Sequence, residues 1–326
     1  TLPWRPEHGR VVRMYTSISY PDARPFECDT RSLLKKAVYV AKSAGYSFSF
    51  GAEMEFYLFR LDDSGEPTKL PYDKASYMDI APDDRGENIR REICLTLEQM
   101  GIQPESSHHE EGPGQNEIDF RYSDALTAAD NAMTFQTVVK TVARRNGLFA
   151  DFTPKPLEDK PGNGFHINVS VRSDDGSDKL PHVIAGMLDK ICDMTAFLNP
   201  TENSYARLGR NKAPAYVSWS SENRSQLIRI PAATGEYRRA ELRSPDPTAN
   251  PYLAFALIIY AGLYGIKKQL ELPISENLNL YKTTLEQLSK YKRLPQNLGA
   301  ACVLASQSEF VRAHIPPSIL DIYLGR

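Results

Sequence analysis

Carboxylates at alternate positions are where chemistry first shows in this sequence. Glu53 and Glu55 lie two apart in residues 47–60, where phenylalanines, Tyr57 and Leu58 alternate with small or charged residues. That spacing predicts a strand, and its period of two sends both carboxylates to one face and Met54 and Phe56 to the other. Adjacent carboxylates repel unless a cation sits between them. A solvated strand face is the plainer alternative, weakened by the apolar neighbours Phe48, Phe50, Phe56 and Phe59. Residues 108–117 (His-His-Glu-Glu-Gly-Pro-Gly-Gln-Asn-Glu) hold the densest set of ligand-type groups, with carboxylates on both sides of a Gly-Pro-Gly turn. Oxygen-rich groups suit Mg²⁺ or Mn²⁺, with water completing an octahedron; alone, the segment also reads as a charged surface hairpin. In residues 163–170 two flexible residues open a predicted strand, with His166, Asn168 and Ser170 on one face and Ile167 and Val169 on the other. A lone His is usually structural, but one at a strand mouth beside Gly is a better ligand candidate. Arg239, Glu241 and Arg243 also share a face, which by itself is best read as an ion-pair ladder.

Arginines form the counterpart. Arg224 and Arg229 lie five apart, and Arg207, Arg239 and Arg243 add to them. Arg suits forked contacts with phosphate or carboxylate oxygens. Phosphoryl transfer needs such cations together with metals, because charge spreads over the oxygens of the transferred group. No GxxxxGK[ST] loop, kinase-type Gly-rich loop or HRD segment occurs, so an ATP site here is neither a P-loop nor a kinase cleft.

The elements that must position these groups follow from capping and periodicity. Helices are predicted over residues 30–45, 86–100, 123–146 and 181–198, strands over 47–60, 116–122, 165–171, 227–231 and 238–243, and loops over 61–84, 154–164 and 208–214. Helices are expected through most of the remainder, one starting at Pro251. Strands in separated blocks with long helices between them favour an α+β fold in one domain. The chain has 326 residues, 41% hydrophobic and 25% charged, with a net charge of -2. That balance gives no field to attract nucleic acid or an anionic membrane. The longest apolar run, residues 252–266, is shorter than the roughly 20 residues of a membrane span and reads as a buried helix. The cysteines (Cys28, Cys94, Cys192, Cys302) form no CxxC pair, and the start at Thr1 shows no apolar leader, so a reduced, cytoplasmic setting is expected.

Five segments in order resemble glutamine synthetase: residues 51–56 (Gly-Ala-Glu-Met-Glu-Phe), 108–117, 162–166 (Gly-Asn-Gly-Phe-His), 223–231 (Asn-Arg through Arg-Ile-Pro), and 239–243 (Arg-Ala-Glu-Leu-Arg) followed by Asp246 and 250–253 (Asn-Pro-Tyr-Leu). The resemblance implies a catalytic domain with a curved antiparallel sheet lining the active site and helices packed on it. It implies an enzyme that forms an acyl phosphate from glutamate or a similar acid with ATP and joins it to ammonia or an amine. The alternatives are a γ-glutamyl ligase for an amine other than ammonia, or a non-catalytic metal- and nucleotide-binding member. Two or more Mg²⁺ or Mn²⁺ ions are implied, one held by residues matching Glu55, Glu110 and Glu117, another by Glu53, His166 and Glu241. The matching phosphate-contacting arginines are Arg224, Arg229 and Arg239, and the substrate-carboxylate arginines are Arg207 and Arg243. Glu105, Tyr122, Asn168 and Ser170 fall at or near nucleotide positions, and Gly162, Asn163 and Gly164 on a substrate loop.

Three departures qualify this. Where the family carries a Gly-Tyr-Glu-Ala-Pro-like flap, residues 209–214 read Gly-Arg-Asn-Lys-Ala-Pro, with Lys212 at the position of the catalytic Glu. A cation there neither attracts ammonium nor takes its proton, which argues for an acidic amine or a substrate with an extra carboxylate. His-x-His becomes His166-Ile-Asn168. The family's small N-terminal β-grasp domain is expected to be missing, with residues 1–28 a remnant of the joining segment and 29–326 the catalytic domain. That domain helps build the family's rings, so a homo-oligomer is expected of the full-length protein.

Overall fold

The computed structural model describes residues 1–5, 9–231, 235 and 238–325. In chain order the elements are α1 (Thr30–Ser43), β1 (Tyr46–Leu61), β2 (Pro67–Pro71), α2 (Glu87–Gln99), β3 (Pro104–His109), β4 (Gln115–Asp124), α3 (Ala125–Arg145), β5 (Leu148–Asp151), β6 (Phe165–Ser173), α4 (Leu180–Leu198), α5 (Glu202–Arg207), β7 (Trp219–Ser220), β8 (Ile228–Arg229), β9 (Ala240–Leu242), α6 (Pro251–Lys268), α7 (Leu285–Leu288), α8 (Leu298–Gln307), α9 (Glu309–His314) and α10 (Pro317–Leu324). Except for α2, α4 and α10, the helices begin where short polar side chains satisfy the free N–H groups of the first turn. Asp29 accepts from Arg31 N at 3.0 Å, Asp124 from Leu126 N at 3.1 Å, and Asn250 from Tyr252 N at 3.0 Å, with Pro251 next in line.

The sheet runs β3-β4-β1-β6-β9-β8-β7, with β2 and β5 also paired to β1. Every pairing is antiparallel except β7 with β8. One face carries Phe50, Met54, Phe56, Ile118, Phe120, Ile167, Val169 and Leu242 into the core. Helices α1, α3, α4 and α6 pack there: Phe50 stacks on Phe255 of α6 at 4.3 Å, and Phe56 meets Phe135 of α3 edge-on at 6.2 Å. Alternation fixes what the other face holds, since a one-residue slip would turn the phenylalanines to water. Glu53 therefore stands opposite both Asp119 and His166, Glu55 opposite Glu117, and Glu241 opposite Asn168 and Arg229.

Four strands go beyond the sequence expectation, the two-residue β7 among them. β2 lies inside the segment read as a loop, and β3 and β5 were not anticipated. β2 and β3 are edge strands with largely exposed side chains, so no apolar alternation marks them. Helices fill most of the chain after β9, as expected, with residues 269–284 a non-helical stretch between α6 and α7. The apolar run is the buried helix α6, and among the described residues no helix is long and apolar enough to cross a membrane.

Helices α4 and α6 touch backbone to backbone at Gly186 and Gly265. A Cβ on Gly265 would lie 2.0 Å from the carbonyl oxygen of His182 and 2.9 Å from Gly186 Cα. The helices carrying the core phenylalanines would have to separate. Gly265→Ala should therefore cost about 2 kcal/mol or more, within the range of core overpacking. A denaturant titration reads this directly, and an unchanged midpoint would contradict so close an approach.

Candidate active site

The polar face of the sheet gathers carboxylates from strands far apart in sequence. Glu53 on β1 accepts from Asn168 Nδ2 at 2.7 Å and lies 3.4 Å from His166 Nδ1. The same imidazole is 4.0 Å from Glu55 and 3.8 Å from Glu241, so it sits among three acids. Glu55 is held by Gly164 N at 2.8 Å and Gln115 Nε2 at 3.2 Å. Glu241 is fully buried between guanidinium groups: Arg229 Nε donates to one oxygen at 2.5 Å and Arg243 Nη1 to the other.

The side wall is the turn after β3. Glu110 accepts from His108 at 3.1 Å. The neighbouring His109 is wholly buried, with Nε2 at 2.9 Å from Asp73 and Nδ1 at 2.6 Å from the Glu110 carbonyl oxygen. Both ring nitrogens face acceptors, so the ring clamps the Glu110 backbone to the loop before α2. Asp84 in that loop holds Arg90 in a forked pair, and Arg90 reaches Asn116 at 2.7 Å. Asp73, Asp84 and His109 stand close enough to hold an ion. Their atoms are committed to one another, to Arg90 and to backbone N–H groups, and the trio is a structural clamp.

Two adjoining cavities open over this face. The first is lined by Glu53, Glu55, Glu110, Glu117, His166 and Glu241 together with Arg207, Lys212, Arg224, Arg229 and Arg243. The second shares Glu53 and Asp119 with it and continues along Glu105, Tyr122, Asn168, Ser170 and Arg239. The residues singled out for metal and those singled out for nucleotide thus form neighbouring walls. Arg239 Nε donates to Asn168 at 3.0 Å, and Arg224 engages the Tyr77 hydroxyl.

Several candidates stand differently from the sequence expectation. Asn163 is fully buried, and its amide staples the backbone of Asp151 and Thr153 at 3.0 and 2.9 Å, away from the cavity. Gly162 lines the cavity because its backbone packs on Arg207, and a Cβ there would lie 2.3 Å from the Pro154 carbonyl oxygen. Gly164 serves through its N–H to Glu55. Arg207 donates to the Ser244 carbonyl oxygen at 2.8 Å. Lys212 is ion-paired with Glu111 and lies over the Tyr77 ring at 5.1 Å. Its ammonium is engaged across the cavity mouth and is no proton acceptor. Asp119 was missed, although it follows Glu117 by two residues and so shares its face. Tyr77 lies in a loop, where no periodicity could mark it.

Crowding splits the acids. Burial, then the charges of Asp119, Glu55, Glu53 and Glu110, push Glu117 well above the usual carboxylate range. Burial and the Glu53 charge lift Asp119 to about 6. Burial also raises Glu55, against the pull of His166. For Glu53, burial is outweighed by the hydrogen bond and charge of His166, with Asn168 and Arg243, and the group falls to about 2. Burial at Glu110 is likewise outweighed by His108, the Glu111 N–H and Lys212.

This donor set fits divalent cations. Ligand atoms of Glu53, His166 and Glu241 lie within 4.8 Å of one another, as do those of Glu55, Glu117 and His166, and of His108, Glu110 and Glu117. The first trio is the one expected. The second expected set is spread over two groups that share Glu117, so Glu110 does not join Glu55 directly. Asp119 Oδ1 is buried with no hydrogen-bond partner, an acceptor facing a wall of acids.

The catalytic-domain model of glutamine synthetase matches residues 27–325. Glutamine synthetase of Clostridium saccharobutylicum is 45% identical over 99% of this chain and 76% of its own length. That of Methanosarcina mazei is 43% identical over the same shares. Among solved structures, a GmaS/ADP complex superposes with TM-score 0.81 at 31% identity, over 91% of this chain and 72% of that one. Plasmodium falciparum glutamine synthetase superposes with TM-score 0.82 at 22% identity, over 95% and 77%, which speaks to fold alone. The chain belongs to the glutamine synthetase family of ATP-dependent ligases and carries its catalytic domain.

Proposed function

We propose that this chain uses ATP to phosphorylate the side-chain carboxylate of glutamate or a similar acid and joins the acyl phosphate to an amine. The observation that carries the reading is the junction of the two cavities at Glu53 and Asp119, with acids on one side and arginines on the other. The nucleotide would lie along Glu105, Tyr122, Asn168, Ser170 and Arg239, with its phosphates reaching the acids. Glu53, Glu55, Glu110, Glu117, His166 and Glu241 would hold the metals. Divalent cations, when bound, supply the positive charge that lets two anions approach.

The remaining roles fall to this chain's own groups. Arg207 and Arg243, buried at the cavity floor, would orient the acid substrate. Its carboxylate oxygen attacks the γ-phosphorus, and ADP departs with the electron pair of the broken P–O bond. The amine nitrogen then attacks the acyl carbon, the C–O bond to phosphate breaks, and phosphate leaves. Arg224 and Arg229 would shield the transferred group. Arg229 must exchange Glu241 for phosphate to do so, and a cation on Glu241 favours that exchange. The Lys212–Glu111 pair supports an amine other than ammonia, since the carboxylate at the mouth is already engaged by Lys212 and is not available to hold an incoming ammonium. Self-association belongs to the same reading, supported by exposed Val11, Val12, Met14 and Ile18.

Hydroxylamine traps acyl phosphates as hydroxamates. With ATP, Mn²⁺ and glutamate the protein should form hydroxamate, and omission of any one should abolish it. No hydroxamate and no ADP would reject the ligase reading. Ammonia as the best acceptor in a phosphate-release panel would reject the amine preference alone.

The raised carboxyls set a pH dependence. Asp119 at about 6 and Glu117 above its usual range hold protons that the unfolded chain has released. Their stabilisation is present below the unfolded pKa and is lost as pH rises through the folded one. The lowered Glu53 and Glu110 act in the opposite sense, below the ordinary carboxylate range. With chelator, the thermal midpoint should therefore fall as pH rises from about 5 to 7. Excess Mn²⁺ should remove that fall, because the cation displaces the protons. Parallel profiles with and without Mn²⁺ would count against metal binding by this cluster.

A further inference from the structure

A third cavity lies outside the loop of residues 208–214, and its charge is opposite to that of the acid wall. Asn211 and Lys212 line both it and the first cavity, so this loop is the partition between them. Both partition residues sit at positive φ, 46° and 68°, and the loop closes through Gly209 N to the Ala213 carbonyl oxygen at 2.9 Å. The cations facing the outer cavity are Lys155, Arg210, Lys212 and Arg293, set against Glu158 and Asp159.

These cations are not equivalent. Lys212 is neutralised by Glu111. Lys155 is buried and donates to the Lys160 carbonyl oxygen. The Arg210 side chain makes no hydrogen bond or ion pair among the described residues, and Arg293 only lies over the Tyr216 ring at 5.8 Å. Arg293 is brought to the mouth because residues 292 and 294 pair with 217 and 215, with Val217 N to the Lys292 carbonyl oxygen at 2.8 Å and Leu294 N to that of Ala215 at 2.8 Å. Burial and the neighbouring Arg210 charge press the Lys155 ammonium down, against the pull of Asp159. Tyr281 also lines this cavity, and the two spaces meet at Asn211 and Lys212, which belong to both linings.

We infer that this vestibule receives a carboxylate carried by the acceptor amine, so that the ligase joins its acyl phosphate to an amino-acid-like nucleophile. The inference rests on the ligase reading above and names the substrate class of that same site. Arg210 and Arg293 would hold the acceptor's carboxylate while its amine passes beneath Asn211 and Lys212 toward the acyl carbon. There the neutral amine nitrogen bonds the acyl carbon, the C–O bond to phosphate breaks, and the nitrogen's surplus proton passes to the departing phosphate. A guanidinium suits this task because its planar fork matches a carboxylate.

The test compares β-alanine with propylamine, and glycine with ethylamine, as acceptors for phosphate release with ATP, Mn²⁺ and glutamate. The carboxylate-bearing member of each pair should lead by about tenfold or more in kcat/KM, as charge-assisted contacts do. Arg210→Gln and Arg293→Gln should each bring that ratio toward one. Equal use of both members by the unaltered chain would overturn the inference, as would variants that lower both members alike. Hydroxamate formation without a carboxylate preference sinks the vestibule and spares the ligase. If no hydroxamate forms at all, calorimetric titration of the Mn²⁺-loaded protein with β-alanine and propylamine reads the vestibule alone. Binding of β-alanine that is lost in Arg210→Gln supports it, and equal or absent binding overturns it.

Discussion

Mutual repulsion among carboxylates is the constraint around which this molecule is arranged. Glu53, Glu55, Glu117, Asp119 and Glu241 share one face of a sheet whose other face is packed with phenylalanine and aliphatic side chains. The apolar face fixes the register, so the acids cannot relieve their repulsion by slipping into water. Relief comes locally instead. His166 lies among three of them, Arg229 and Arg243 hold Glu241 from both sides, and Glu117 and Asp119 hold their protons to higher pH than ordinary carboxylates. A face left in this condition is stabilised by whatever brings positive charge to it.

In the proposed reaction Glu241 would link this constraint to catalysis. In the structure it is the anchor of two arginines, and as a metal ligand it would have to release at least one of them. The arginine released would be Arg229 or Arg243, the former matching a phosphate-contacting position and the latter a substrate-binding one. Metal loading and readiness for anionic substrates are then a single exchange of partners around one buried carboxylate. Glu53 would tie the same exchange to the neighbouring cleft, because Asn168 joins its carboxylate to Arg239 in the cleft proposed for the nucleotide.

The groups on β1, β6 and β9 were legible in the sequence because apolar residues alternate with them, and period-two arithmetic is reliable when one face is oily. Where both faces are polar the arithmetic loses its contrast. That is why the edge strands β2 and β3 went unseen. Asp119 was overlooked beside Glu117 for a different reason: no segment of the family resemblance reached it. The starts of α1 and α6 followed from Asp29 and Pro251, whereas α2 and α4 have no side-chain cap and were found by periodicity alone. Asn163 reads as a polar loop residue in sequence. Only the backbone of residues 151–153 shows that its amide is spent holding the turn.

What sequence cannot supply is pairing across loops. Nothing in residues 208–214 points to Glu111, nearly a hundred positions earlier, yet their ion pair decides what Lys212 does. An unpaired lysine at that mouth would be a free cation or, once neutral, a base. Joined to Glu111 it is a cross-brace, and the free positive charge of the region moves outward to Arg210 and Arg293. The sheet, constrained by its core, fixes where the acids and arginines of the proposed phosphoryl chemistry stand. The loop, constrained by one ion pair and its own backbone, sets which charge an incoming molecule meets first. Substrate choice can therefore diverge within this fold while the acid face stays as it is.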